Sequence, residues 1–180
     1  MTETFPLDPL TELTDRPQLG VHLNLSISRA KRDQRRFAVC RLDLEGINQV
    51  SNRLGSGKGE QLQAYFARRM RNKMRQGDTL AHLEGNEFVI LINDLENHRG
   101  CLSAVQRIMD STRQPYVIED EVATVSANIG IAIFPDDNAD PQELLRHASQ
   151  AIEIAKQDGG GNNYSMFNAQ GPLAPTPSPP

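Results

Sequence analysis

Two carboxylates, Asp43 and Glu45, close the strand-like run RFAVCRLDLE. Alternation along a strand puts residues two apart on one face, so their oxygens could converge on a hard divalent cation such as Mg²⁺. A lone D-x-E is more often a solvated strand end, so the pair does not decide the matter by itself. A second polar cluster, Glu84-Gly85-Asn86-Glu87, separates the apolar runs TLAHL and FVILI. That pattern fits a plain hairpin turn, and it also fits a site loop. A third, Arg75-Gln76-Gly77-Asp78, precedes the hairpin. Taken alone it is a solvated helix end with a turn, where an arginine suits the helix dipole and needs no ligand.

The elements that must position these residues follow from periodicity. Leu19, Leu23, Ile27 and Ala30 recur at helical spacing, as do Leu62, Phe66 and Met70. Leu102, Val105, Ile108 and Met109 form a third set, and Leu144, Ala148, Ala151, Ile152 and Ala155 a fourth. Asp140 before Pro141 predicts a capped start for the last of these helices. Strand-like runs start at residues 37 (FAVCRLDL), 79 (TLAHL), 88 (FVILIN) and 125 (VSANIGIAIF), with a short edge strand expected within 114–120. The order helix, strand, helix, hairpin, helix, strand, helix predicts an α/β (α+β) domain with one mixed sheet covered by helices.

Bulk properties narrow the function. The chain has 180 residues and a formal net charge of −4, enough length for one cored domain and the wrong charge for a general nucleic-acid coat; no DNA partner is expected. Cys40 and Cys101 lie far apart in sequence and outside any C-x-x-C pattern, which predicts reduced thiols and a cytoplasmic setting. No membrane span or signal peptide is evident. The four histidines lack metal-ligand spacing, and His82 reads as a hydrogen-bonded strand residue. The basic stretches RRFA and ARRMRNK read as solvated helix faces. The ending GPLAPTPSPP predicts a domain over 1–168 and a Pro-rich tail or linker over 169–180.

In order and spacing, these pieces resemble the GGDEF family, the diguanylate cyclase domains of bacterial cyclic di-GMP signalling. Asp8-Pro9-Leu10-Thr11 is similar to the family's opening D-x-L-T; RLDLEGINQVSNRLG resembles D-x-D-x-F-K-x-I-N-D; EGNEF stands at the signature; SANIGIAIFPDD resembles the S-I-G-I-A strand. The resemblance covers nearly the whole chain and implies a palm-like nucleotidyl-cyclase fold, with a central mixed sheet of about five strands surrounded by helices. It also implies two facing domains, each holding GTP and Mg²⁺, in which each 3′-hydroxyl attacks the other nucleotide's α-phosphate.

The departures fall on the site that the resemblance implies. Asp43 keeps the first metal position and Glu45 approximates the second, but Asn86 replaces the acidic third residue of the signature and brings no charge to a metal. Glu84 replaces a glycine that lets backbone approach phosphate, while Gly85, Glu87 as a vestigial catalytic residue, and Phe88 remain. Asn48 stands at a phosphate-contacting lysine, Ser51 at a guanine-reading asparagine, and Glu60 at the guanine-binding aspartate. Lys156 survives, and Gly159–Gly161 cover the place of a phosphate-binding arginine. Arg75-x-x-Asp78 has the spacing of the family's inhibitory site, with Arg107 aligned to an arginine that joins it. There an arginine could pair with guanine O6 and N7, and Asp78 could accept from the N–H edge.

The resulting expectation is a degenerate GGDEF module, catalytically inactive, that binds cyclic di-GMP through Arg75, Asp78 and Arg107. It would act on a neighbouring phosphodiesterase or sensor domain, with a homodimer as one expected assembly. The alternatives are a weak diguanylate cyclase needing Mg²⁺, an allosteric GTP-binding domain, and a purely protein-interaction domain.

Overall fold

The computed structural model describes residues 7, 8, 10, 11, 13–137, 140–157, 159 and 161–167. Helix α1 (Arg16–Asp33) leads into β1 (Arg36–Glu45), then α2 (Ile47–Leu54) and α3 (Ser56–Lys73). The hairpin β2 (Thr79–Glu84) and β3 (Glu87–Leu95) follows, then α4 (His98–Arg113) and a small hairpin of β4 (Tyr116–Ile118) and β5 (Glu121–Ala123). Strand β6 (Ser126–Phe134), helix α5 (Pro141–Gln157) and strand β7 (Tyr164–Met166) complete the order.

The main sheet runs β2-β3-β1-β6-β7, and only the last pairing, β6 with β7, is parallel. It is the expected five-stranded mixed sheet. The expected strand near 114–120 forms as β4, but it pairs with β5 in a separate hairpin and does not edge the sheet. The fifth place goes to β7, three residues too short to show alternation. Periodicity does not predict helix α2 either, because its eight residues bury only Ile47 and Val50. The boundary expected at 168/169 and the tail beyond it lie outside the described residues.

Strict alternation in β1 divides the core. Ala38, Cys40, Leu42 and Leu44 face one apolar layer with α2, α3 and α4, while Phe37 and Val39 face a second with α1 and α5. Cys40 from β1 touches Cys101 from α4; that contact, and then burial, hold the Cys40 thiol far above its ordinary value. Both thiols therefore behave as core packing. Caps fix the helix starts: Asp15 accepts from Gln18 N at 3.0 Å, Asn97 from Gly100 N at 3.0 Å, and Asp140 from Gln142 N at 2.9 Å, as its place before Pro141 predicts. No helix among the described residues is long and apolar enough to cross a membrane.

The basic stretches are not simple solvated faces. Arg69 donates to the carbonyls of Ser111, Gln114 and Pro115 at 2.6–3.1 Å and lies 3.7 Å over the Tyr116 ring, closing the end of α4. Arg36 belongs to β1 and pairs with Asp136, and Arg35 pairs with Asp94 and Glu96.

Gly130 in β6 is where α5 comes closest to the sheet. A Cβ there would lie 2.2 Å from Ala148 O and 2.3 Å from Ile152 N, both backbone atoms that cannot move aside independently. Gly130→Ala is expected to destabilise the domain by at least about 1–3 kcal/mol through overpacking, read as a lower urea midpoint; an unchanged midpoint would contradict this packing.

Candidate functional site

Beyond the apolar part of β1, the face shared with α5 becomes polar. Arg41, Asp43 and Glu45 continue the alternation of Phe37 and Val39, so the two carboxylates do share a face as predicted. Register places Glu87 of β3 opposite Asp43 on one side and Asn128 of β6 opposite it on the other. Helix α5, seated at Gly130, brings Ser149 and Lys156 down onto this face.

Each candidate ligand then has a protein partner. Lys156 Nζ lies 2.5 Å from Asp43 Oδ2 and 3.7 Å from Glu153. Burial pulls the Lys156 pKa down, but the hydrogen bond and charge of Asp43, with Glu153 and Glu87 beyond, leave it above its ordinary value. Arg41 reaches Glu87 Oε2 at 2.9 Å with one nitrogen and Ser149 Oγ at 2.6 Å with another. Glu45 accepts from Asn128 Nδ2 at 2.8 Å. Its other oxygen packs where a side chain on Gly161 would begin. Asn86 Oδ1 accepts from Gln63 Nε2 of α3 at 2.8 Å.

Each member of the expected trio Asp43, Glu45 and Asn86 is thus engaged by a different protein group. Among the described residues no three His, Cys, Asp or Glu side chains are grouped so as to hold a metal ion. Mg²⁺ favours near-octahedral oxygen ligation, and here one carboxylate is engaged by an ammonium, another by an amide, and the third ligand is neutral. This donor set does not fit the metal.

The nucleotide positions are spread along the neighbouring helices. Asn48 is exposed in the first turn of α2, and Ser51 packs against Gly59 of α3, where a Cβ would sit 1.9 Å from Ser51 Oγ. Glu60, next to Gly59, is exposed. Of the three glycines at 159–161, Gly160 lies outside the described residues.

Sequence reasoning missed Arg41, Gln63, Asn128 and Ser149. Arg41 carried a signal, since it alternates with Asp43. The other three approach from distant elements and carried none.

The hairpin itself is sound. Gly85, at φ 52°, and Asn86 form a two-residue turn closed by the Glu84–Glu87 pair, and Asn86 O accepts from Leu44 N at 3.0 Å. His82 is 5% exposed and stacked on Phe88, with Nε2 2.9 Å from Gly85 O and Nδ1 3.0 Å from Asp8 Oδ2. It is the hydrogen-bonded strand residue that the sequence predicts. Asp8 also accepts from Thr11 N at 2.9 Å and from Thr11 Oγ1 at 2.7 Å. Glu84, the intruder in the signature, is exposed and 4.0 Å from Arg16.

On the opposite side of the hairpin, the second set converges. Arg75, Asp78 and Arg107 line one small cavity of about 20 Å³, floored by Met70, Ile90 and Ile108. Asp78 Oδ1 accepts from Asn93 N at 3.0 Å, and Asn93 Nδ2 donates to Gly77 O at 2.8 Å, so β3 fixes the turn. Burial raises the Asp78 pKa against the opposing pull of the Asn93 hydrogen bond and of Arg75 and Arg107. Arg75 and Arg107 are exposed. A wider cleft of about 400 Å³ opens on the other flank of the same turn, between α1 and the end of α3, with His22 and Arg71 in its walls.

Comparison with known proteins agrees with this layout. Residues 6–162 match the family described as diguanylate cyclase, GGDEF domain. The chain is 38% identical over 162 residues to the bifunctional diguanylate cyclase/cyclic di-GMP phosphodiesterase MucR of Pseudomonas aeruginosa, covering 90% of this chain and 23% of that protein. It is 30% identical to the diguanylate cyclase TpbB of the same species, over 86% of this chain and 36% of TpbB. The solved GGDEF domain of TpbB superimposes with a TM-score of 0.85 at 28% identity, covering 91% of this chain and 95% of that one.

The Asp8 contacts predict a pH signature. Burial raises the Asp8 pKa, but the Thr11 and His82 interactions outweigh it and hold it below 3.8. Its stabilising effect is therefore complete above 3.8 and is lost as pH falls through the lower folded-state value. Asp8→Asn is expected to cost about 1–3 kcal/mol at pH 7. In urea titrations at a series of pH values, that difference should shrink in acid; a difference that stays constant with pH would contradict the assignment.

Proposed function

The chain belongs to the GGDEF family of diguanylate cyclase domains, the domains of bacterial cyclic di-GMP signalling, and on that footing we propose that this member binds cyclic di-GMP without making it. The observation that carries the reading is a contrast between two sites. The cleft at Asp43 has its charges paired internally, whereas Arg75 and Arg107 are exposed beside a half-buried Asp78. Two guanidinium groups and a carboxylate suit a ligand that presents both phosphate and the donor and acceptor edges of guanine. The cavity between them is too small for a dinucleotide, so the bases would lie across the exposed arginines with only their edges reaching Asp78.

Bound ligand would tie the turn at Arg75–Asp78 to α4 and so bias contacts with a neighbouring domain. A phosphodiesterase or sensor domain is the proposed partner, supported by the chain's match to only 23% of the length of a bifunctional relative. We place the domain in the cytoplasm, with its two free, buried thiols as support.

A weak cyclase is the second reading, favoured by the approach of Asp43, Glu87 and Lys156 to one another. Cyclic di-GMP formed from GTP and Mg²⁺, and abolished by Asp43→Ala, would establish it in place of the first.

Calorimetric titration with cyclic di-GMP tests the proposal. Saturable binding is expected, weakened in Arg75→Ala by about 1–3 kcal/mol, or roughly five- to 150-fold. Absence of binding up to several hundred micromolar, on the order of −5 kcal/mol, would reject it. The complex needs the Asp78 carboxylate, and burial raises its pKa in the free protein, so affinity should fall as pH is lowered through that raised value. Asp78→Asn should bind more weakly and lose that pH dependence.

A further inference from the structure

The two central carboxylates of the Asp43 cleft are each met by a protein cation. Asp43 faces Lys156 at 2.5 Å and Glu87 faces Arg41 at 2.9 Å, two carboxylates against two cations. Glu45, the remaining carboxylate near β1's end, is taken by the Asn128 amide. These pairs are partly sheltered: side-chain exposures are 31% for Lys156 and 24% for Asp43. A half-buried ion pair is costly to break on one side only, because the partner is left charged and poorly solvated.

Lys156 is not a flexible surface residue that happens to reach inward. Its neighbours Ile152 and Ala155 are buried, and α5 is locked to β6 through the backbone contact at Gly130. One and two turns earlier, Glu153 and Ser149 complete the row: Glu153 lies 3.7 Å from Lys156, and Ser149 accepts from Arg41. The ammonium is thus delivered to Asp43 by a rigid element. An incoming divalent cation would have to displace a tethered charge while finding Glu87 held by Arg41, Glu45 by Asn128 and Glu153 beside the same lysine. Affinity for hard cations depends on the number of charged oxygen ligands, and this site offers few.

We propose that Lys156 is the resident cation of this cleft: its ammonium holds the place at Asp43 that a divalent metal would otherwise occupy and keeps free Mg²⁺ out. This stands independently of the cyclic di-GMP reading, which concerns the other side of the hairpin.

The test uses the whole chain and Mn²⁺ as the probe, with free Mn²⁺ followed by electron paramagnetic resonance. Wild-type protein should show no saturable site that Asp43→Asn removes. Lys156→Met, which keeps the aliphatic stem and removes the charge, should gain one, binding at least about tenfold tighter than wild type. Adding Asp43→Asn to Lys156→Met should abolish the gain, and Lys156→Arg, which keeps a cation, should exclude Mn²⁺ as wild type does. Circular dichroism reports folding, and Lys156→Gln replaces Lys156→Met if the latter unfolds. Asp43-dependent Mn²⁺ binding by the wild type overturns the proposal. So does a folded neutral variant that gains no site, since the lysine would then not be what keeps metal away.

Discussion

Everything about the Asp43 cleft depends on how closely α5 can approach the sheet. The missing side chain at Gly130 lets backbone meet backbone, and only at that distance do short reaches from α5 close on β1. Ser149 meets Arg41 and Lys156 meets Asp43 because one helix is set at one height. The pairing of charges is thus a consequence of packing, fixed before any ligand is considered. It also explains why the two cations differ in role. Arg41 comes from the sheet and orients Glu87 from within its own layer, whereas Lys156 comes from the covering layer and acts as a lid on Asp43.

The hairpin holds its shape with altered residues in the signature positions. Its geometry needs a glycine at Gly85, a stacked His82–Phe88 pair, and a backbone bond from Leu44 to Asn86. None of these depends on the acidity of residue 86 or the smallness of residue 84. Glu84 points to solvent and Asn86 finds Gln63, so both departures from the family signature are absorbed locally. The elements that position the cyclic di-GMP candidates are likewise untouched.

Much of this was legible in the sequence. Period-two alternation placed Asp43 and Glu45 on one face, and the 3.6-residue patterns located α1, α3, α4 and α5. Asp140 and Pro141 marked the start of α5. What stayed hidden was either short or remote. Strand β7 has three residues and α2 exposes most of its surface, so neither builds a periodic signal. The partners of Glu45 and Asn86 lie 83 and 23 residues away, and no local rule joins them. Charge patterning suggested water as the neighbour of Arg69, whereas the carbonyls at the end of α4 surround it. A guanidinium's destination depends on tertiary structure, and composition does not encode it.

The sheet's two margins bear on how the domain meets other molecules. At one margin, Thr14 bridges to Ala81 and its carbonyl accepts from His82 N, so the segment before α1 shields part of β2. At the other, β7 offers a three-residue ladder followed by the single bond from Phe167 N to Ile131 O. Among the described residues, neither border presents the long, flat row of free amides and carbonyls that recruits a foreign strand. Association by β-addition is therefore disfavoured, and helix surfaces and the turn that carries Arg75 are left as the ground for recognition. A domain built this way can be concentrated beside its neighbours without polymerising through its sheet.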